Sequence, residues 1–510
     1  MRSVGSAQRK DEGIIVEWIG TTLGASVTAI GSQPRWRPHW FVDVAGASTT
    51  TRVLVRGDRV DTKTTFPLVH EMRFQELLHR GGIPVPKVYG WIEQLPAFVS
   101  DCVPGRPDFA GMSTAERDTV VDEYLQALVA IHSLNIGSFV EAGIDRADRP
   151  EESALIGMAR MEAVYRIQKA HPNPFMEFCL RWFHRHPPQS HGRETPVVWD
   201  SGQFHHDNGH LVAELDVELG HLGDPMMDLA GWRMRDSVLG FGDFRTIYAR
   251  YAGLTGQPVD LEAIQLHHIA FTLSNALSFS HTLKAPPPET DYATNLEWCN
   301  ETNLFATEAI AEYMQVELPS VEPIDSRRSK VAPAHTHLVH ALRSLEADDE
   351  FLRHQLRISF RLARHLARFD EIGDAVVEAN LDDLQSVLGR RPESWQIGED
   401  ELERFVNADA AEGRHGETPL SLFHRQNLRA QMLNGPAASA MARHNPTPNV
   451  RHRRQGQRRC KALQRLTTST SEDQNGVYTA SRPGLLVCPP TDERDGDWTR
   501  TSLVMLVVHR

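Results

Sequence analysis

The chain has 510 residues, 40% hydrophobic and 24% charged, with a formal net charge of -13. That length can bury more than one core, on the order of three or four domains, and the acidic balance argues against broad binding of nucleic acid or anionic membranes. Five scattered cysteines (Cys102, Cys179, Cys299, Cys460, Cys488) show no C-x-x-C and read as reduced thiols of a cytoplasmic protein. The positively charged N-terminus has no apolar run behind it, which argues against a signal peptide, and no apolar run reaches the length of a membrane span.

In chain order, Ile14, Ile15, Trp18 and Ile19 mark a short helix. Strand-like runs follow at Trp40–Val44 and Arg52–Arg56, then a helix from about Pro67 to Arg80, stopped by Gly81-Gly82. A further strand-type run, Ala97–Val103, ends at Pro104-Gly105. Beyond Asp108 the pattern is mainly helical. Ser113 and Glu116 form a capping box, and Val120, Tyr124, Leu128 and Ile131 give the helix it opens one apolar face. Leu261–Leu283 reads as a further helix.

The stretch Val197–Asp228 carries the chemistry. Asp207-Asn208-Gly209 is a turn signal, because Asn and Gly tolerate positive φ. Its flanks, Gln203–His206 and His210–Val217, have strand character. Gln203 and Asp216 thus lie on opposite arms and meet at the open end of a hairpin. A hard cation such as magnesium takes oxygen ligands, often a carboxylate or two with phosphates and water; Asp216 is the natural carboxylate and Gln203 the natural neutral oxygen. A plain surface hairpin with solvated acids is the competing account.

After Leu318 the composition shifts. Residues 319–334 read as a linker rich in Pro, Ser and charge, 335–435 as a helical domain, and 436–510 as a mostly disordered tail holding the basic run Arg451–Arg459. That run is expected to be a solvated tail rather than a nucleic-acid contact.

The order of these features resembles the aminoglycoside phosphotransferase-like branch of the protein-kinase-like fold. The residues that carry it are a strand ending V-L-V-R, a helix with an early Glu, I-P-V-P-K-V, a strand ending V-P-G, the helix end A-L-V-A-I-H-S-L, the hairpin, and E-L-G-H-L-G-D-P-M-M-D-L-A. The resemblance covers roughly residues 12–318. It implies an α+β fold of two lobes: a small β-rich N-lobe (12–104) and a mainly helical C-lobe (105–318) with the catalytic hairpin. It further implies ATP or another nucleoside triphosphate with Mg, and a small-molecule substrate bearing a hydroxyl.

At matched positions, Arg56 falls where the family contacts the nucleotide phosphates, Glu71 where a helix holds that cation, and Asp216 where magnesium is ligated. Asp224 and Asp228 match acids expected to brace the loop, and His132 is expected to be a packed core residue. Two departures stand out. In the family motif H-x-D-x-x-x-x-N, Gln203 takes the Asn place, Val198 the Asp place and Pro196 the His place. The nearest acid is Asp200, two residues on, a displacement of roughly 6–7 Å along an extended chain. It can act as catalytic base only if the loop is re-formed. The phosphate-covering loop, Ile30–His39, has one glycine and two prolines; Arg35 and Arg37 are candidate anion contacts with Trp36 as lid, or solvated residues of a rigid loop.

Two functions follow: an ATP- and Mg-dependent phosphotransferase acting on a hydroxyl, or a catalytically impaired pseudokinase that binds a nucleotide or metabolite. His335, His337, His340, Glu346, Glu350, His354 and His365 raise a metal site, but the Glu-x-x-His spacing of bundle sites is absent. Helices that pack on the kinase-like part or form a homodimer are the expectation there.

Overall fold

The computed structural model describes residues 4–33, 37–46, 50–59, 63–190, 193–287, 290–327, 329–409 and 416–434. The basic run Arg451–Arg459, and Arg35 and Trp36 of the expected phosphate loop, lie outside these residues.

The N-terminal lobe contains α1 (Val4–Leu23), β1 (Ser26–Gln33), β2 (His39–Ala45), β3 (Thr50–Gly57), α2 (Leu68–Arg80), β4 (Val88–Ile92) and β5 (Ala97–Asp101). The strands form one antiparallel five-stranded sheet in the order β1-β2-β3-β5-β4. β1 goes beyond the expected strands. It pairs Gly31 with Phe41 and Gln33 with His39, so Ile30–Gln33 and His39 of the stretch expected to be a phosphate loop are strand residues.

Alternation along β3 sets the site. Val53 and Val55 are buried with Ile15, Ile19, Trp40 and Val42, whereas Arg56 points to the other face of the pleated strand. Glu71 meets it there because α2 buries Glu71, Phe74, Gln75 and Leu78 on one helical stripe.

The C-terminal lobe begins with α3 (Thr114–Ile131), whose Ser113–Glu116 capping box forms as expected. α4 (Ile136–Glu141), α5 (Ile156–Gln168) and α6 (Pro174–Arg185) follow. Two short strand pairs come next: β6 (Thr195–Val197) with β9 (His221–Gly223), and the hairpin β7 (Phe204–Asp207) with β8 (His210–Glu214). The hairpin turn has φ +51° at Asn208 and +79° at Gly209, the two positive values a tight two-residue turn requires.

After it come α7 (Met226–Leu239), α8 (Phe244–Thr255), α9 (Leu261–Thr272), α10 (Ser274–Lys284) and α11 (Tyr292–Met314). The single helix expected over Leu261–Leu283 is therefore two, divided at Leu273. One core joins α2, α3, α7 and α8 around Tyr124, Phe204, Leu229 and Trp232.

The remaining helices are α12 (Ala332–Arg343), α13 (Glu350–Leu388), α14 (Trp395–Ala408) and α15 (Glu417–Asn434). Leu381, Leu384, Leu402, Leu420 and Phe423 from the last three share a core with α5, α6, α9, α10 and α11. No group of three His, Cys, Asp or Glu able to hold a metal occurs among the described residues. Among those residues, no helix is long and apolar enough to cross a membrane.

Candidate active site

The site lies between the lobes, where β3 and α2 face the loop after β6 and the loop after β8. Arg56 is its hub. Its Nε lies 2.8 Å from Glu71 Oε1, and its Nη2 donates to Asp216 Oδ1 at 2.8 Å and to Glu218 Oε2 at 3.4 Å. Arg37, 1% exposed, donates to Glu218 Oε2 through Nε (3.1 Å) and Nη2 (2.7 Å). Its Nη2 is also 3.7 Å from Glu71 Oε2. Of the two accounts of Arg37, the solvated one fails: the guanidinium is buried against carboxylates of its own chain.

Burial drives the Glu71 carboxyl up to about 7 against the pull of Arg56 and Arg37. Burial also acts to raise Glu218, but Arg37, Arg56 and Arg59 outweigh it and hold that carboxyl at about 2. Two guanidiniums thus face three carboxyl groups, one of them raised toward neutrality, in a poorly solvated cleft where a charge left unpaired is expensive.

Residues 198–203 form the loop between β6 and β7, with Val198 at the family's Asp place and Asp200 two residues on. Val198 is buried in the C-lobe core, 1% exposed, and has no place in the cleft. The chain then turns sharply at Trp199, whose φ is +60°, an unusual value for a bulky residue. That turn carries Asp200 into the cleft. Between Asp200 and Gln203 the loop is two residues shorter than the family spacing. Gly202, at φ +89°, helps close it: a Cβ there would meet Trp232 Cδ1 at 2.8 Å.

The short loop brings the acids together. Gln203 Nε2 donates to Asp200 Oδ2 at 2.8 Å and to Asp216 Oδ2 at 3.4 Å, which places one amide between the two carboxylates. Gln203 Oε1 is buried and has no hydrogen-bond partner. Asp216 itself has φ +57°, a conformation Asp tolerates better than most residues. On the far side, Arg235 of α7 donates to Asp200 Oδ1 through Nη2 (2.6 Å) and Nε (3.1 Å). Burial raises the Asp200 carboxyl to about 6, with Arg235 opposing and Asp216 assisting.

Asp228 sets the loop from beneath. It accepts from the Val198 N–H at 3.1 Å and from the Trp199 N–H at 2.5 Å, and it lies 3.0 Å from His132 Nε2. His132 is a buried residue held between Asp228 and the Tyr251 hydroxyl. Asp224 caps its own turn, accepting from the Met226 N–H at 2.8 Å. Asp228, Gly231 and Arg235 are spaced i, i+3, i+7 and share the face of α7 that meets this loop.

Sequence reasoning had not assigned Glu218 or Arg235. Glu218 stands two residues after Asp216 within L-D-V-E-L, and Arg235 is one heptad past Asp228, so both had a spacing signal.

An ion-paired Arg–Glu between sheet and helix, a carboxylate after the hairpin and an acidic loop braced by a buried Asp accompany a two-lobed protein-kinase-like fold. Residues 42–263 match the profile of the phosphotransferase enzyme family. The mouse (Mus musculus) protein "Acyl-CoA dehydrogenase family member 10" is 26% identical over 211 residues, 38% of this chain and 19% of that protein. The rat (Rattus norvegicus) "Acyl-CoA dehydrogenase family member 11" is 29% identical over 173 residues, 31% of this chain and 22% of that protein. The chain thus spans about a fifth of the length of these relatives. Among solved structures, the apoenzyme of macrolide 2'-phosphotransferase MphH from Brachybacterium faecium is similar at 13% identity and a TM-score of 0.40, covering 61% of this chain and all (100%) of that one.

Proposed function

We propose that this chain transfers the γ-phosphoryl group of a magnesium-bound nucleoside triphosphate, ATP in the first instance, to a hydroxyl of a small molecule. The observation that carries the reading is the single Gln203 amide joining Asp200 to Asp216, two carboxylates at one end of the cleft that suit the roles of base and metal ligand. The donor set fits magnesium: Asp216 offers a carboxylate, and the orphaned Gln203 Oε1 offers a neutral hard oxygen. Asp216 and Gln203 would hold the ion, which when bound would neutralise charge on the nucleotide phosphates.

The chain's own residues supply the rest. Arg56, kept charged by its three carboxylate neighbours, is placed to bind nucleotide phosphate oxygens, with Glu71 fixing its direction. Asp200 accepts the proton of the acceptor hydroxyl. A carboxyl raised to about 6 is still ionised at neutral pH and is a stronger base than an ordinary Asp. Beyond Asp200, the pocket wall carries Met161, Met234, Val238, Phe271, Phe279 and Trp298. Such a wall suits an acceptor with an apolar body better than a polycation.

The direct test is purified protein with Mg-ATP and a panel of hydroxylated small molecules. Magnesium-dependent nucleotide binding with phosphoryl transfer, both lost in Asp216→Asn, is the expected result. Absence of both binding and slow ATP hydrolysis in the parent protein sinks the reading.

The pseudokinase reading draws support from the arginines that already engage Asp216 and Asp200. Nucleotide binding without turnover on any acceptor would favour it.

A further inference from the structure

We infer that the chain has a second small-molecule site, suited to a neutral and largely apolar ligand, where the C-lobe meets the added helices. A cavity of about 390 Å³ lies between α5, α6 and α10 on one side and α13, α14 and α15 on the other. Small-molecule pockets are typically about 300–1,000 Å³ and mostly apolar with a few placed polar groups. The lining has that character, with Phe175, Leu381, Leu384, Leu402 and Phe423 as its apolar surface. Trp395, 46% exposed, stands at the edge with the Lys284 ammonium 5.0 Å from its ring centre.

Charge pairing selects a neutral ligand. Lys169 Nζ is bonded to Glu177 Oε1 at 2.7 Å and to Glu403 Oε1 at 2.8 Å, and Lys284 Nζ to Glu399 Oε2 at 2.9 Å. A charged ligand would have to displace one of these partners in a partly dehydrated site, at a net cost. Neutral hydrogen-bonding groups are present: Gln426, and Asn380, whose Oδ1 already accepts from Arg429 at 2.8 Å. The Tyr165 hydroxyl on the same wall is buried with no partner. A carbonyl- or hydroxyl-bearing ring compound matches this set.

The site is built only in part from the family region, through α5 and α6. α10, α13, α14 and α15 all lie beyond residue 263, where the family match ends. It also shares walls with the catalytic cleft. On α5, Met161 lines the cleft and Tyr165, one turn on, lines the cavity; on α10, Ser274 and Ser278 line the cleft while Ser280 and Lys284 line the cavity.

The test uses the full chain and the neutral naphthalene ketone prodan, whose emission shifts to the blue in apolar surroundings. Saturable binding of one probe per chain is expected. Ser280→Trp and Leu384→Trp, which fill the cavity from opposite walls, should each weaken it at least about tenfold, while Val238→Trp in the catalytic cleft leaves it unchanged. Thermal melting checks that each variant is folded, and the half-buried Ser280 position keeps the test alive if Leu384→Trp does not fold. No saturable binding, binding indifferent to Ser280→Trp, or binding abolished by Val238→Trp overturns the proposal.

Discussion

Arg235 and Asp200 form a two-pronged contact at the cleft between the lobes, with Nη2 and Nε of the guanidinium at 2.6 and 3.1 Å from one carboxylate oxygen. The contact gives Asp200 a fixed direction and lowers its proton affinity against the effect of burial. Removing the cation in Arg235→Gln should therefore raise the Asp200 pKa further above about 6. The acid limb of the kcat/KM profile then moves to higher pH, and activity falls more at pH 6 than at pH 8.5. A uniform loss across pH would mean that Arg235 does not act through Asp200.

Asp200→Asn removes the proton acceptor and keeps the shape. We expect kcat to fall by about 10²–10⁴-fold, the usual worth of a positioned general base, with nucleotide affinity retained. Steady-state kinetics beside calorimetric titration of Mg-ATP separates the two. Unchanged kcat would remove Asp200 from the mechanism.

Gly231 holds α7 against the catalytic loop. A Cβ at this position would sit 2.1 Å from the Trp199 carbonyl oxygen, a backbone atom that cannot swing aside. Gly231→Ala should destabilise the fold by about 1–3 kcal/mol or more and lower kcat by displacing the loop. Denaturant unfolding measures the first effect.

Glu214 gives a pH signature in stability. Burial, with Asp228 adding to it, raises its carboxyl to about 8 from an ordinary value of 4.5. The folded chain therefore holds a proton that the unfolded chain has released, and stability falls as pH rises from 4.5 through 8. Glu214→Gln keeps a neutral side chain of the same shape beside the Tyr124 hydroxyl. Its melting temperature should exceed that of the parent by a margin that widens between pH 5.5 and 8.5. A margin independent of pH would contradict the assignment.

The local features were legible in sequence because each depends on neighbours a few residues away. The Ser113–Glu116 box, the Asn208-Gly209 turn and the meeting of Gln203 with Asp216 at the open end of the hairpin all follow from short-range geometry. So does the two-lobed α+β plan, through the order of its strands and helices. β1 escaped notice because its run S-V-T-A-I-G-S-Q is an exposed edge strand with little apolar alternation.

What the sequence alone determined about this protein is the kinase-like scaffold and the identity of its acids. Long-range packing sets how Asp200, the acid nearest the motif position, enters the cleft. Counting along the motif left Val198 at the family's Asp place and Asp200 two residues on, and linear spacing could not say whether the loop carries Asp200 into the cleft. The answer depends on Asp228, about thirty residues away in the chain, gripping the Val198 and Trp199 amides while the backbone turns at Trp199. Those hydrogen bonds bury Val198 and swing Asp200 between Arg235 and Gln203, a result of long-range packing rather than of any local preference.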